Sequence, residues 1–250
     1  MKKTLIAAFA AVAMFTIATP VSAIVNGEPD TTHDYVGAIR GFDPGGTQRL
    51  CSGSLVAHGV FLTAAHCIGL TGITVHFGDD LATEDFSFAA TQALRHPSNA
   101  ANFGFQFDVG IVLFDQGDVV LPTGQLAGPN YLDGFTKNEL KAAVFETYGY
   151  GLVRGDVNGN SQPLAPGTVR RGATQGYQNM HNQYLGLSIN SNQGNGGGCS
   201  GDSGGPHLLN NLIVSVTSNG DASCVTTDNT QRVDQPEIRD WILLVISAAG

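Results

Sequence analysis

The stretch GGGCSGDSGGP, residues 196–206, sets Ser203 among six glycines. A serine hydroxyl is a poor nucleophile until an adjacent imidazole takes its proton. That imidazole in turn needs a carboxylate to fix its tautomer and stabilise its positive charge. Both partners stand upstream: LTAAHC at 62–67 presents His66, and FDVGIVLF at 107–114 puts Asp108 at the head of an apolar run. A G-x-S-x-G pattern can also serve in a strand–turn–helix elbow, which takes its acid and then its histidine from beyond the serine. After Ser203 the only histidine is His207, and no Asp or Glu lies between them, so that second arrangement cannot be built. The order His66, Asp108, Ser203 leaves a base, an orienting acid and a nucleophile.

Elements must hold these three residues together. ITVHF (73–77), DVGIVLF (108–114), AAVFETYGYG (142–151) and NLIVSV (211–216) are β-branched and aromatic, with Gly, Asn or Pro between them, and read as strands. The 33 glycines and the pairs Asn26-Gly27, Asp133-Gly134, Asn158-Gly159 and Asn219-Gly220 supply tight turns for an all-β chain. The segment GDVVLPTGQLAGPNYLDG (117–134), rich in proline and glycine, predicts a crossing between two β halves, 24–125 with His66 and Asp108 and 126–250 with Ser203. Near the end the period changes. Ile238, Trp241, Ile242 and Val245 share one helical face, predicting a helix over 235–248 with Asp234 and Glu237 as a capping box.

Lys2 and Lys3, an apolar run from Leu5 to Thr19 and VSA at 21–23 read as a secretory signal peptide over residues 1–23. Cleavage after Ala23 leaves a soluble chain opening IVNGEPD, and loss of the two lysines takes the formal charge two units below −9. That balance argues against nucleic-acid or anionic-membrane partners. Four cysteines in an exported chain imply two disulfides, with three connectivities open.

IVNG (24–27), CSGSLV (51–56), TAAHC (63–67), DVGIVLF and CSGDSGGP (199–206), in this order along nearly the whole mature chain, resemble the chymotrypsin/trypsin-like serine proteases, of an exported, bacterial kind. The resemblance implies an all-β fold of two packed antiparallel six-stranded β-barrels with a C-terminal helix, and peptide-bond hydrolysis through an acyl-enzyme. It implies that Gly201 and Ser203 provide the amides of an oxyanion hole, and that Cys51 pairs with Cys67 and Cys199 with Cys224. It further implies that the freed α-ammonium of Ile24 inserts beside Asp202. With no propeptide after Ala23, export itself would then expose the activating terminus; a cut after Ala18 would instead leave TPVSA ahead of it. Activity should rise as His66 loses its proton and fall as the α-amino group does. Expected partners are protein or peptide substrates and protein protease inhibitors, for a monomer outside the cell or in a periplasm, with no metal and no cofactor.

The same resemblance bears on specificity. Gly197, with Gly198 beside it, stands where trypsin-like relatives carry an aspartate, and Ser215, Val216 and Thr217 match the segment that lines the pocket and pairs with substrate. The glycine at the base and a threonine at the mouth favour small or medium apolar side chains, an elastase- or chymotrypsin-like specificity; the alternative is a basic preference through Asp228 near the back. A catalytically silent binding protein on the same fold is the reading from another class, although such proteins usually lose a triad member and His66, Asp108, Ser203 and Gly201 are all present. RGD (154–156) and DVNGN (156–160) read as polar loop, and His33, His58, His76, His96 and His181 as surface or packing residues.

Overall fold

A computed structural model describes residues 24–99, 106–154 and 164–250. The signal segment and the loop bearing most of RGD and DVNGN lie outside these residues. The strands are β1 (Glu28–Pro29), β2 (Val36–Phe42), β3 (Gln48–Ala57), β4 (Val60–Thr63), β5 (Thr71–Phe77), β6 (Phe86–Arg95), β7 (Gly110–Phe114) and β8 (Val144–Gly149). They continue as β9 (Leu152–Arg154), β10 (Leu164–Pro166), β11 (Arg171–Met180), β12 (Tyr184–Ser188), β13 (Pro206–Leu209), β14 (Leu212–Gly220) and β15 (Thr227–Arg232). The α-helices are α1 (Lys137–Ala142) and α2 (Pro236–Ala249).

Strands β2-β3-β4-β7-β6-β5 close one antiparallel barrel, and β8-β11-β12-β15-β14-β13 close the other, with β1 added to the outside of β11. The expected double barrel is thus present. Ile39, Leu55, Phe61, Val75, Phe77 and Phe114 fill the first barrel. A second cluster joins Val36, Leu62 and Ile111 of that barrel to Tyr150, Leu208 and Val216 of the other and to Ile238, Ile242 and Val245 of α2. The apolar face of the helix therefore packs across both barrels, as its period predicts.

The expected cap of α2 is corrected. Gln235 is the N-cap and makes no side-chain cap bond. Asp234 is fully buried and accepts from Arg232 Nε at 2.9 Å, Arg232 Nη2 at 2.8 Å and the Leu132 amide at 2.9 Å. A buried guanidinium holds the carboxylate more strongly than an exposed amide can. The capping box occurs instead on α1, between Thr136 and Glu139.

Candidate active site

His66 and Asp108 come from the rim of the first barrel. His66 sits in a short 3₁₀ turn, Ala65–Gly69, directly after β4, and Asp108 immediately precedes β7. Asp108 Oδ2 accepts from His66 Nδ1 at 2.9 Å and from Ser218 Oγ at 2.6 Å, while Oδ1 accepts from the His66 amide at 2.9 Å. Asp108 is fully buried, and three donors compensate the desolvation of its charge. This arrangement places the proton of a neutral His66 on Nδ1 and leaves Nε2 basic.

Ser203 comes from the second barrel, half-buried beside a cavity. Its turn is pinned to the first barrel: Ser52 N–H donates to the Ser203 carbonyl at 2.9 Å, and Ser52 Oγ donates to the Gly201 carbonyl at 3.0 Å. Gly201 has φ +99°, and a Cβ there would lie 2.8 Å from the Gly151 Cα, so only glycine suits this corner. The disulfide Cys51–Cys67 ties β3 to the His66 turn, and Cys199–Cys224 ties the Ser203 turn to the cavity wall. The sulfurs of Cys51 and Cys67 lie near the His66 ring but are bonded to each other, which removes them as metal ligands.

Asp202 is wholly buried. Its carboxylate accepts from the Gly151 amide at 2.8 Å and the Cys199 amide at 2.9 Å. Burial, aided by the nearby charge of Asp228, nevertheless pushes its pKa up to about 7. Ile24, the first described residue, is fully buried, and Val25 forms a β-bridge with Gly197.

The cavity, about 160 Å³, lies between Gly198–Ser203 on one side and Thr217–Ala222 on the other, with Asp228 among its lining residues. Three expectations are corrected here. Gly197 does not line it and is held in the bridge to Val25. Ser215 and Val216 are also absent from its wall, being fully buried in β14. Thr217 does line it, but is 5% exposed with its hydroxyl 2.9 Å from His207 Nε2, so it does not form the mouth. The wall runs three residues further along, through Ser218, Asn219 and the exposed Gly220. The signal for that register is the Ser218–Asp108 bond, a contact between barrels. Asp228 lines the cavity, with Oδ2 accepting from the Gly198 amide and Gln175 Nε2, both at 3.1 Å. Gly198 makes room for that carboxylate, since a Cβ there would lie 2.8 Å from Oδ2.

A family model described as Trypsin matches residues 24–242. A chymotrypsin from Phaedon cochleariae is 27% identical over 219 residues, covering 83% of this chain and 77% of that protein. Among solved structures, HL collagenase superposes with a TM-score of 0.68 at 18% identity, over 90% of this chain and 99% of that one. Human heparin binding protein gives 0.70 at 20% identity, over 91% and 98%. At these identities the structural matches speak for the fold alone.

Proposed function

Because the chain belongs to the trypsin family, and so to a family of serine-protease hydrolases, we propose that it is a secreted serine endopeptidase with His66, Asp108 and Ser203 as its catalytic triad. The observation that carries this reading is the buried Asp108 carboxylate holding His66 by its Nδ1 on a barrel to which the Ser203 turn is bonded through Ser52. Ser203 Oγ attacks the substrate carbonyl as His66 Nε2 takes the hydroxyl proton. The imidazolium then protonates the departing amine, leaving an acyl-enzyme. Water, deprotonated by the same nitrogen, releases the acid. The Gly201 and Ser203 amides stabilise the oxyanion, a contribution on the order of 10²- to 10³-fold per donor.

Activation follows from Asp202. A buried carboxylate with its pKa raised to about 7 lacks enough compensating positive charge, and the α-ammonium of a chain beginning at Ile24 would supply it. The substrate backbone would pair along the wall formed by Ser218, Asn219 and Gly220. Small apolar side chains were favoured by a threonine at the mouth. With Thr217 inside and Asp228 on the lining, the cavity suits a lysine or arginine before the scissile bond.

The test is to incubate protein beginning at Ile24, beside a Ser203→Ala control, with a diverse peptide library and to read cut sites by mass spectrometry. Cleavage by the unmodified chain alone, after basic residues, is the expected result. No cleavage would refute the peptidase and favour the binding-protein reading; cuts after small apolar residues would refute only the assignment of Asp228.

A further inference from the structure

A buried line of side chains runs beneath the cavity and has no part in the hydrolytic steps. His207, on β13, is fully buried. Its Nδ1 lies 2.7 Å from Gln175 Oε1 on β11, and its Nε2 lies 2.9 Å from Thr217 Oγ1 on β14. Gln175 Nε2 donates at 3.1 Å to Oδ2 of Asp228 on β15. Two of these four residues, Thr217 and Asp228, line the cavity.

Chemistry gives the line a direction. A carboxylate only accepts, so the Gln175 amide must turn its NH₂ to Asp228 and its oxygen to His207. His207 Nδ1 must then carry the ring proton, which leaves Nε2 to accept from the Thr217 hydroxyl. All hydrogen bonds thus run from Thr217 through His207 and Gln175 to Asp228. A second ring proton reverses the first of these bonds, because Nε2–H then donates to the Thr217 hydroxyl, which must turn its own proton elsewhere. Nε2 also lies 3.6 Å from Asp228 Oδ2, within reach of an ion pair once the ring is charged.

The surroundings favour neutral His207 until the solution is acidic. Facing it are Thr147 across the ladder from β8, Gln175 from β11, Thr217 from β14 and Asp228 from β15. Among the described residues the charged group that meets the ring is Asp228, whose charge also bears on the buried Asp202. Burial lowers the His207 pKa from the usual imidazole value, and Asp228 offsets part of this.

We infer that His207 is a positioning residue for substrate selection: neutral, it orients Gln175 and Thr217 so that Asp228 presents its charge to a cationic side chain, and protonated, it pairs with Asp228 and withdraws that charge. The inference rests on reading this cavity as the substrate pocket. Its consequence is a pocket whose preference for cations over neutral groups of the same shape is switched off by acid, independently of the triad.

A binding measurement separates this from catalysis. Benzamidinium and its neutral isostere benzamide are titrated calorimetrically into the Ser203→Ala chain beginning at Ile24, from about pH 8 down to about pH 4.5. A charge-assisted contact of this kind should favour the cation about tenfold at the upper pH, and the preference should fall toward unity at the lower. Asp228→Asn should abolish the preference throughout, while His207→Gln should keep it at every pH. A preference that does not change with pH, a fall that survives in His207→Gln, or equal binding of the two probes would each overturn the inference. If His207→Gln does not fold, the ¹⁵N titration of the His207 ring in the Ser203→Ala chain must share its midpoint with the fall in preference, and a separate midpoint would overturn it as well. Since no bond is cut, failure of the peptidase reading appears only in the peptide library.

Discussion

Inside the first barrel, Phe61 meets Phe77 edge-on at 5.7 Å and Phe114 lies 4.9 Å from Phe88, among aliphatic side chains. The second barrel adds to its apolar Phe145, Leu185 and Leu187 a buried line of Gln175, His207, Thr217 and Asp228 joined by hydrogen bonds, and a separate bonded pair, Ser215 and Thr230. An apolar interior has one requirement, close packing, and offers nothing to reorganise. It therefore suits the half that holds His66 and Asp108 in fixed relation on its rim. A polar interior must satisfy every donor and acceptor, and losing one partner leaves another exposed to a dry environment. That restricts the second barrel to a particular set of side chains, but it also lets charge and hydrogen-bond direction reach the cavity wall.

The largest break in this comparison comes from the first barrel's rim. Asp108→Asn should lower kcat by about 10⁴, a magnitude carried over from the triad of this same family, because the amide favours the wrong His66 tautomer. Steady-state kinetics with an unchanged circular dichroism spectrum would check it.

Next come the interiors themselves. Phe61→Ala should destabilise the fold by about 3 to 5 kcal/mol through the cavity it leaves, without altering which peptides are cut. Gln175→Leu leaves the His207 Nδ1–H without its partner, which should cost about 1 to 3 kcal/mol, and should change the ratio of basic to neutral substrates. Denaturant unfolding beside kcat/KM for two peptides distinguishes the two; equal effects on selectivity would erase the contrast.

Asp202 gives an effect that depends on pH. In the chain that retains residues ahead of Ile24, its pKa is raised from 3.8 to about 7, so over this interval the folded state binds more protons than the unfolded. Stability should be greatest below this window and fall as pH rises through it. Asp202→Asn should remove the fall, as should a free α-ammonium at Ile24; thermal melts at several pH values test both.

The smallest effect lies outside either interior. Thr136→Ala removes the α1 capping box and should cost about 1 kcal/mol with no change in activity, measurable by chemical denaturation.

Much of this was legible in the sequence because it depends on local chemistry. The strands follow from runs such as ITVHF, and the stripe from Ile238 to Val245 gives the helix. His66, Asp108 and Ser203 are marked by residue type and order, and the cysteine pairs, Cys51–Cys67 and Cys199–Cys224, are those the resemblance implied. The misread positions are those decided by contacts distant in sequence. The pocket wall was displaced by three residues because its register depends on Ser218 meeting Asp108, and β14 shifts its pairing between Thr217 and Asn219. Asp234 looked like a cap until Arg232 claimed it. His207 carried no local signal, since its partners Gln175, Thr217 and Asp228 come from three other strands.

The Ser52 hydroxyl, which bonds the Gly201 carbonyl and the Tyr150 amide, has a meaning for how the protein is made. Ser52 belongs to the first barrel and both of its partners to the second, as Ser203 does, so the turn that bears Ser203 takes its shape from residues synthesised long before it. Of the three proposed catalytic residues, Ser203 is the last to leave the ribosome, and when it emerges the seat it must fit has already been translated. A chain truncated before Ser203 therefore carries the proposed base and acid without the proposed nucleophile.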